Sequence, residues 1–280
     1  MLRKHGIHIR KLMPLSESLL KPQYLPLKSF KQKVKLLIER ERFVIKTAEN
    51  HDELARVLRL RYDVFYRELL EKRLLLGIDI DKFDFKCDHL IIIDKKTDTF
   101  IGTYRLISSL FARKFYSETE FSLDSIISLP GIKLELGRAC VHRDYRTGSS
   151  IALLWRGITE YMKITGTKYL FGCSSVKTTD KKEVAAMYKN LSGNNLAPQE
   201  YQVFPKRKFK IKGFESMVEE VTKEDEEKAM SSIPPLIKSY LNMGASICGE
   251  PAYDKKFKCA DFLTVFNLDS SEKVQKKYKL

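Results

Sequence analysis

The sequence predicts an α/β (α+β) fold: one mixed sheet flanked by helices. Strand-length apolar runs, such as FVIKT (43–47), HLIIID (89–94) and FLTVFNL (262–268), recur along the chain. Between them, 52–70 and 149–165 repeat apolar residues every three to four positions, as a helix with one buried face requires. Apolar residues make up 43% of 280, enough for a sizeable core, which excludes a wholly disordered chain.

The elements follow in order. FVIKT is the first strand. Glu49-Asn50-His51-Asp52 supplies helix caps, and Leu54, Val57, Leu58, Arg61, Tyr62, Phe65 and Leu69 set the period of the helix that follows. Residues 71–88 read as a loop with a carboxylate cluster, Asp79, Asp81, Asp84 and Asp88. HLIIID, a turn at 95–98 and FIGTYRLI (100–107) make a hairpin. A short helix is expected near 110–117 and a strand at 133–141 (KLELGRACV). The helix 149–165 ends at Gly166, a residue suited to closing a helix. A strand at 169–176, a helix at 181–191, an irregular basic stretch at 192–213, helices at 223–230 and 234–243, and the strand 262–268 complete the series.

Charge divides the chain further. The net charge is +15, and residues 1–42 hold eleven Lys and Arg against three Glu. Pro14, Pro22 and Pro26 interrupt any long helix there, so 1–42 is expected to be a basic, partly irregular arm, with a short amphipathic helix over 30–38. Such an arm is either a solvated segment or a dock for anionic lipid. Residues 43–268 form the expected domain and 269–280 a polar tail. A basic balance attracts nucleic acid, anionic membrane or an acidic protein, and composition alone does not choose. No RNP-like or helix-turn-helix pattern accompanies it, so no nucleic acid is expected. Five cysteines without a CxxC fit a reducing compartment and argue against a disulfide scaffold. No run of 18 apolar residues exists, and the basic N-terminus has no apolar stretch after it, so neither a membrane span nor a secretory signal is expected.

Two constellations carry chemistry. The first is the stretch from Glu135 through Arg138, Val141, Arg143, Arg146, Thr147, Gly148, Ser149 and Ser150, which runs strand, basic loop, helix. Such a loop points backbone N–H groups at a phosphate, or is an ordinary turn with solvated arginines. The second joins Arg61, Phe65, Asp81, Asp84, Arg105, Glu135 and Arg138. Charges on buried elements must be paired, so these either form ion pairs that hold the fold or line a polar cleft. Glu135 and Arg138 fall on opposite faces of a regular strand; a bulge between them would bring both to one face and free backbone N–H groups. The histidines and cysteines lack zinc-site spacing, and no GxSxG marks a serine nucleophile, so no metal is expected.

With RLRYDVFYREL (59–69), DIDKFDFKCDHLIIID (79–94), GTYRL (102–106), ELGRACVHRDYRTGSSIALLWRGI (135–158) and the segment 234–266, the chain resembles the acyltransferase branch of the GNAT superfamily. That branch includes the ornithine-lipid synthases (L-ornithine Nα-acyltransferases) and hemolysin-like proteins. The spacing of Arg61 and Phe65, Asp81 and Asp84, and Glu135 and Arg138 is also similar to that of acyl-homoserine-lactone synthases. Those usually carry a Trp where this chain has Glu71. The resemblance implies a splayed GNAT-like sheet and an N-acyltransferase that moves a long, possibly 3-hydroxylated, fatty acyl group from acyl carrier protein to the α-amine of an amino acid, with ornithine the first candidate. It implies no tightly bound cofactor, only an acyl-carrier or acyl-CoA cosubstrate, a cytoplasmic location and peripheral contact with anionic membrane. The alternatives are a lactone-type signal synthase and a non-catalytic lipid- or nucleic-acid-binding protein of the same fold.

The roles follow from that reading. The thioester would lie in a V-shaped gap between strands 133–141 and 169–176. Glu135 would take the proton of the attacking amine. Backbone N–H groups near Arg138 would hold the oxyanion. Tyr188 stands where relatives keep the acid for the departing thiolate. Arg61, Phe65, Asp81, Asp84 and Arg105 would bind the acceptor. Val141, Arg143, Arg146, Thr147, Gly148, Ser149 and Ser150 would hold the donor's phosphopantetheine. That loop lacks the second glycine of a coenzyme A cradle, which suits a single-phosphate arm.

Overall fold

The computed structural model describes residues 27–268. Its framework is a nine-stranded sheet. In chain order the strands are β1 (Leu37–Glu39), β2 (Phe43–Thr47), β3 (Asp88–Asp94), β4 (Thr99–Ser108), β6 (Ile132–Val141), β7 (Thr167–Val176), β9 (Ser246–Ile247), β10 (Ala252–Asp254) and β11 (Cys259–Asn267). Across the sheet the order is β1-β2-β3-β4-β6-β7-β11-β10, with β9 beside β11. Only β6 and β7 pair in parallel; every other neighbouring pair is antiparallel. A separate two-stranded ladder joins β5 (Phe121–Ser122) to β8 (Phe204–Pro205).

Helices cover both faces, which is why the inner strands read as continuous apolar runs. Helix α1 (His51–Arg61) packs Leu54, Val57 and Leu58 with Ile91 and Phe100. The long helix α3 (Gly148–Thr165) packs Leu154, Ile158 and Tyr161 with Leu90, Ile92 and Leu134 on the other face. Alternate residues of β3 thus point to opposite layers. Caps fix the ends: Asn50 accepts from the N–H groups of Asp52 (3.1 Å) and Glu53 (3.0 Å), and Gly166 closes α3 at φ +62°. The chain continues from α1 into a π-wound segment, Tyr62–Leu69. The shorter helices are α2 (Asp124–Ile127), α4 (Lys181–Asn195), α5 (Phe214–Glu219), α6 (Lys223–Ser231) and α7 (Pro235–Asn242).

Two expected helices are absent. Residues 30–38 are not helical: Leu37–Glu39 form β1, paired with β2. Tertiary bonds hold the preceding segment extended. The buried Asp88 carboxylate accepts from the N–H groups of Lys33 (2.7 Å) and Val34 (2.9 Å), and the Thr47 hydroxyl donates to the Val34 carbonyl (2.7 Å). With Leu27, Phe30 and Leu36 buried, the folded body reaches back into the expected arm, so the boundary at residue 42 falls between two paired strands. The remainder of that arm (1–26) and the tail (269–280) lie outside the described residues. The helix expected over 110–117 is also missing, with only a short 3-10 turn starting at Ser117, because the N–H groups of Tyr116 and Ser117 bond the Glu135 carboxylate rather than carbonyls of the preceding turn (2.6 and 2.7 Å). The structure adds α2, α5 and the small strands β5 and β8–β10, which are too short to show a period.

The feature that shapes the site is the parting of β6 and β7. They are in register only from Ile132/Thr167 to Glu135/Phe171. Beyond that point β6 stays with β4 and β7 stays with β11. Gly172 sits at the fork, where a Cβ would strike the Leu136 carbonyl oxygen. Gly172→Ala must therefore displace backbone. The expected cost is about 1–3 kcal/mol of stability, with a reduced transfer rate. Thermal melts and turnover check this, and a variant unchanged in both would contradict it.

Candidate active site

The fork opens into a cavity of about 320 Å³. Its apolar end is lined by Trp155, Thr159 and Met162 of α3 and by Tyr240 of α7, with Leu170 and Phe266 from the strands. The hydroxyls of Tyr104 and Tyr240 bond each other and tie α7 to β4. Its polar end holds Arg105, Tyr116, Glu120, Glu135, Asp254 and Asp261. Phe65 and Leu69, from the π-wound segment, close one side.

The bulge expected in β6 is present. Thr103 pairs with Cys140 and Arg105 with Gly137, so one residue of β4, Tyr104, stands opposite two of β6, Arg138 and Ala139. Arg138 takes φ +51°, uncommon for a side-chain-bearing residue. Both Glu135 and Arg138 consequently face the cavity, with Gly137 and Ala139 beside them.

Glu135 is 2% exposed. Its oxygens accept from the N–H groups of Tyr116 and Ser117 and from the Ser117 hydroxyl. Burial pushes its carboxyl above the usual range, against the pull of those bonds and of Arg105. It pairs with no arginine directly. It anchors the loop that carries Tyr116, and it also borders the cavity.

The arginines and aspartates resolve into an ion-pair network. Arg61 holds Asp79 and Asp84 (2.7 and 2.6 Å), Arg105 holds Asp81 and Asp84 (2.7 and 3.4 Å), and Arg138 holds Asp79 and Asp81 (3.2 Å each). Three charges of each sign balance in a buried site. Of the two readings open in the sequence, the fold-holding one describes Arg61, Asp81 and Asp84, which do not border the cavity. Arg105 and Arg138 serve the network and border the cavity as well.

The other expected residues are placed as follows. Val141 ends β6, and its carbonyl accepts from Arg146 Nε (3.2 Å). Arg146 also pairs with Glu68 (2.5 Å), while Arg143 points to solvent beside Asp144. Thr147 precedes α3, Gly148 and Ser149 open its first turn, and the Ser150 hydroxyl donates to the Tyr145 carbonyl (2.6 Å). This loop does not line the cavity. Tyr188 is outside it too: its ring packs against Phe214 with centroids 5.4 Å apart. The packing role, not proximity to the fork, accounts for Tyr188.

Sequence reasoning missed Glu120, Asp254 and Asp261, which meet on the cavity wall. One signal was available. Asp261 is the one charged residue in the final strand, and a charge at such a position needs a reason.

A splayed mixed sheet with a bulge at the fork and a half-apolar cavity defines the class: a GNAT-type N-acyltransferase. The Acetyltransferase (GNAT) domain family matches residues 60–156. An L-ornithine N(alpha)-acyltransferase of Rhodobacter capsulatus is 31% identical over 84% of this chain and 94% of its own length. One of Rhizobium meliloti is 33% identical over 67% of this chain and 66% of its own, and one of Brucella abortus is 30% identical over 84% and 86%. The chain belongs to the L-ornithine N(alpha)-acyltransferase family. Among solved structures it is similar to a CoA-dependent acyl-homoserine lactone synthase (13% identity, 82% of this chain and 83% of that one, TM-score 0.46) and to an N-acyl amino acid synthase from uncultured soil microbes (12%, 82% and 92%, 0.45). No helix among the described residues is long and apolar enough to cross a membrane.

Proposed function

We propose that this enzyme transfers a long fatty acyl group from the thioester of acyl carrier protein to the α-amine of ornithine, giving a lyso-aminolipid. The observation that carries the reading is the parting of β6 and β7, which leaves a slot ending in an apolar chamber on one side and carboxylates on the other. The acyl chain occupies the chamber beside Trp155, Met162 and Tyr240. The thioester carbonyl sits at the bulge, near Gly137–Ala139, where backbone N–H groups released from the ladder stabilise the oxyanion.

The amine nitrogen attacks the carbonyl carbon. A C–N bond forms, the C–S bond breaks, and the thiolate leaves as pantetheine thiol, taking the proton that the nitrogen sheds as the amide forms. The attacking amine must first lose one. Glu135 accepts it, because its carboxyl borders the reacting atoms and burial raises its affinity for protons. The pantetheine arm leaves the fork toward Gly148 and Ser149, at the positive end of α3. Arg143, Lys177, Lys181 and Lys182 are exposed and supply positive charge that attracts an acidic carrier protein. A 3-hydroxylated chain is part of the same reading, as is peripheral contact with anionic membrane at the cytoplasmic face, where an amphiphilic product is released.

The test is thiol release by the purified protein with acyl carrier protein loaded with a long 3-hydroxyacyl chain. Free thiol should appear only when ornithine is present, in equal amount to N-acyl-ornithine by mass spectrometry. Faster turnover with acyl-CoA would overturn the carrier assignment. Absence of thiol from either donor would overturn the function.

A further inference from the structure

Three carboxylates stand on the cavity wall with no cation beside them among the described residues. Oxygens of Glu120, Asp254 and Asp261 lie within 4.8 Å of one another, and all three residues are buried. Asp254 accepts from the N–H groups of Lys256 (2.6 Å) and Phe257 (3.2 Å). Asp261 accepts from the Ser175 hydroxyl and from the Cys259 thiol (3.5 Å). Among the described residues no lysine, arginine or histidine pairs with any of the three; the nearby arginines are taken by Asp79, Asp81 and Asp84. Buried carboxylates at this spacing cannot all ionise alone. Burial, and then the Asp261 charge, pushes Glu120 up to about 9, so on its own the trio retains a proton near neutral pH.

A second, independent feature points to a ligand. Arg105 is 1% exposed, and only its Nη1 is bonded, to Asp81 (2.7 Å) and Asp84 (3.4 Å). Its Nε and Nη2 have no hydrogen-bond partner among the described residues. They lie beside Gly137, where a Cβ would come to 3.8 Å from each, so the absence of a side chain there leaves this edge of the guanidinium open to the cavity. Two buried donors of this kind call for an acceptor that the described residues do not supply, and a carboxylate fits them. Tyr116 links the two features. Its ring lies 5.0 Å from the Arg105 guanidinium carbon, and it borders the cavity together with Glu120.

We propose that Glu120, Asp254 and Asp261 hold the side-chain ammonium of a diamino-acid acceptor while the open edge of Arg105 holds its α-carboxylate. The proposal rests on the reading above that ornithine enters this cavity, and it adds which residues hold each end of the acceptor. Held by carboxylates, the side-chain amine stays protonated and cannot attack. The α-amine, next to the carboxylate on Arg105, is left free near the bulge. As the ammonium enters, the trio gives up its proton.

The test compares L-ornithine with L-norvaline, which has the same carbon chain without the terminal amine. The wild-type enzyme should favour ornithine in kcat/KM by at least about tenfold, and Asp254→Asn should erase most of that preference through KM. An asparagine oxygen still accepts from Lys256 and Phe257, so this variant keeps the local turn; should it fail to fold, Glu120→Gln replaces it. Calorimetry without acyl donor separates this proposal from the function it rests on. Ornithine should bind the wild type with proton release, read from buffers of different ionisation enthalpy, and norvaline should bind far more weakly. If neither amino acid is acylated but ornithine alone binds in this way, the transfer reading fails and the subsite stands. Equal binding of the two, an unchanged preference in the variants, or displacement of ornithine by calcium or magnesium would overturn it.

Discussion

Glu135→Gln is expected to slow acyl transfer about 100- to 10,000-fold, the range over which a positioned proton acceptor contributes. The amide retains an oxygen for Ser117 but turns N–H groups toward the Tyr116 N–H, which now bonds the second carboxylate oxygen at 2.6 Å. That orphaned pair of donors costs about 1–3 kcal/mol in stability as well. The two effects are separable by pH. Because burial raises the Glu135 carboxyl above its ordinary range, the wild-type rate should fall on the acid side as Glu135 takes up a proton, and the variant should lose that limb. A variant that melts earlier but keeps both its rate and the acid limb would reduce Glu135 to an anchor for the Tyr116 loop.

Arg61→Met is expected to be the most destabilising single change, by about 3–5 kcal/mol, because it removes one partner from a buried network and leaves negative charge uncompensated. Arg61 is essentially without exposure and contacts Asp79 and Asp84 at once. The same region makes the fold acid-sensitive. Burial pulls the His89 imidazole down to about 4. Below the ordinary histidine range near 6.5 the unfolded chain takes up a proton that the folded chain refuses, and stability should fall by about 3 kcal/mol as pH drops from about 6.5 to 4. Burial also opposes ionisation of Asp84, but Arg61 and Arg105 overcome it and hold its carboxyl well below the usual range. Its contribution is present above pH 4 and is lost as pH falls further. Denaturant melts of the wild type and Arg61→Met across this window read both effects. Stability independent of pH between 7 and 4.5 would contradict the account.

The strands and long helices were legible because each carries its own period. The bulge was legible because Glu135 and Arg138 needed it to share a face. The residues near 30–38 and 110–117 misled because their local pattern is helical in kind while their N–H groups are claimed by Asp88 and Glu135, far away in sequence. Asp81 and Asp84 were open to two readings in the sequence, acceptor binding or ion pairing, and only the fold shows the three arginines that converge on them. Glu120 and Asp254 sit on a loop and a hairpin with no periodic neighbour. Only the fold brings them to Asp261, 141 and 7 positions further on.

The parting of β6 and β7 is most directly tested by a crystal structure with an acyl-pantetheine analogue in which a methylene replaces the thioester sulfur. The carbonyl oxygen should lie against the bulge at Gly137–Ala139, with the chain running to Trp155, Met162 and Tyr240 and the arm leaving past Gly148. An analogue bound elsewhere, with Leu136 and Gly172 still in contact and the chamber empty, would contradict the account.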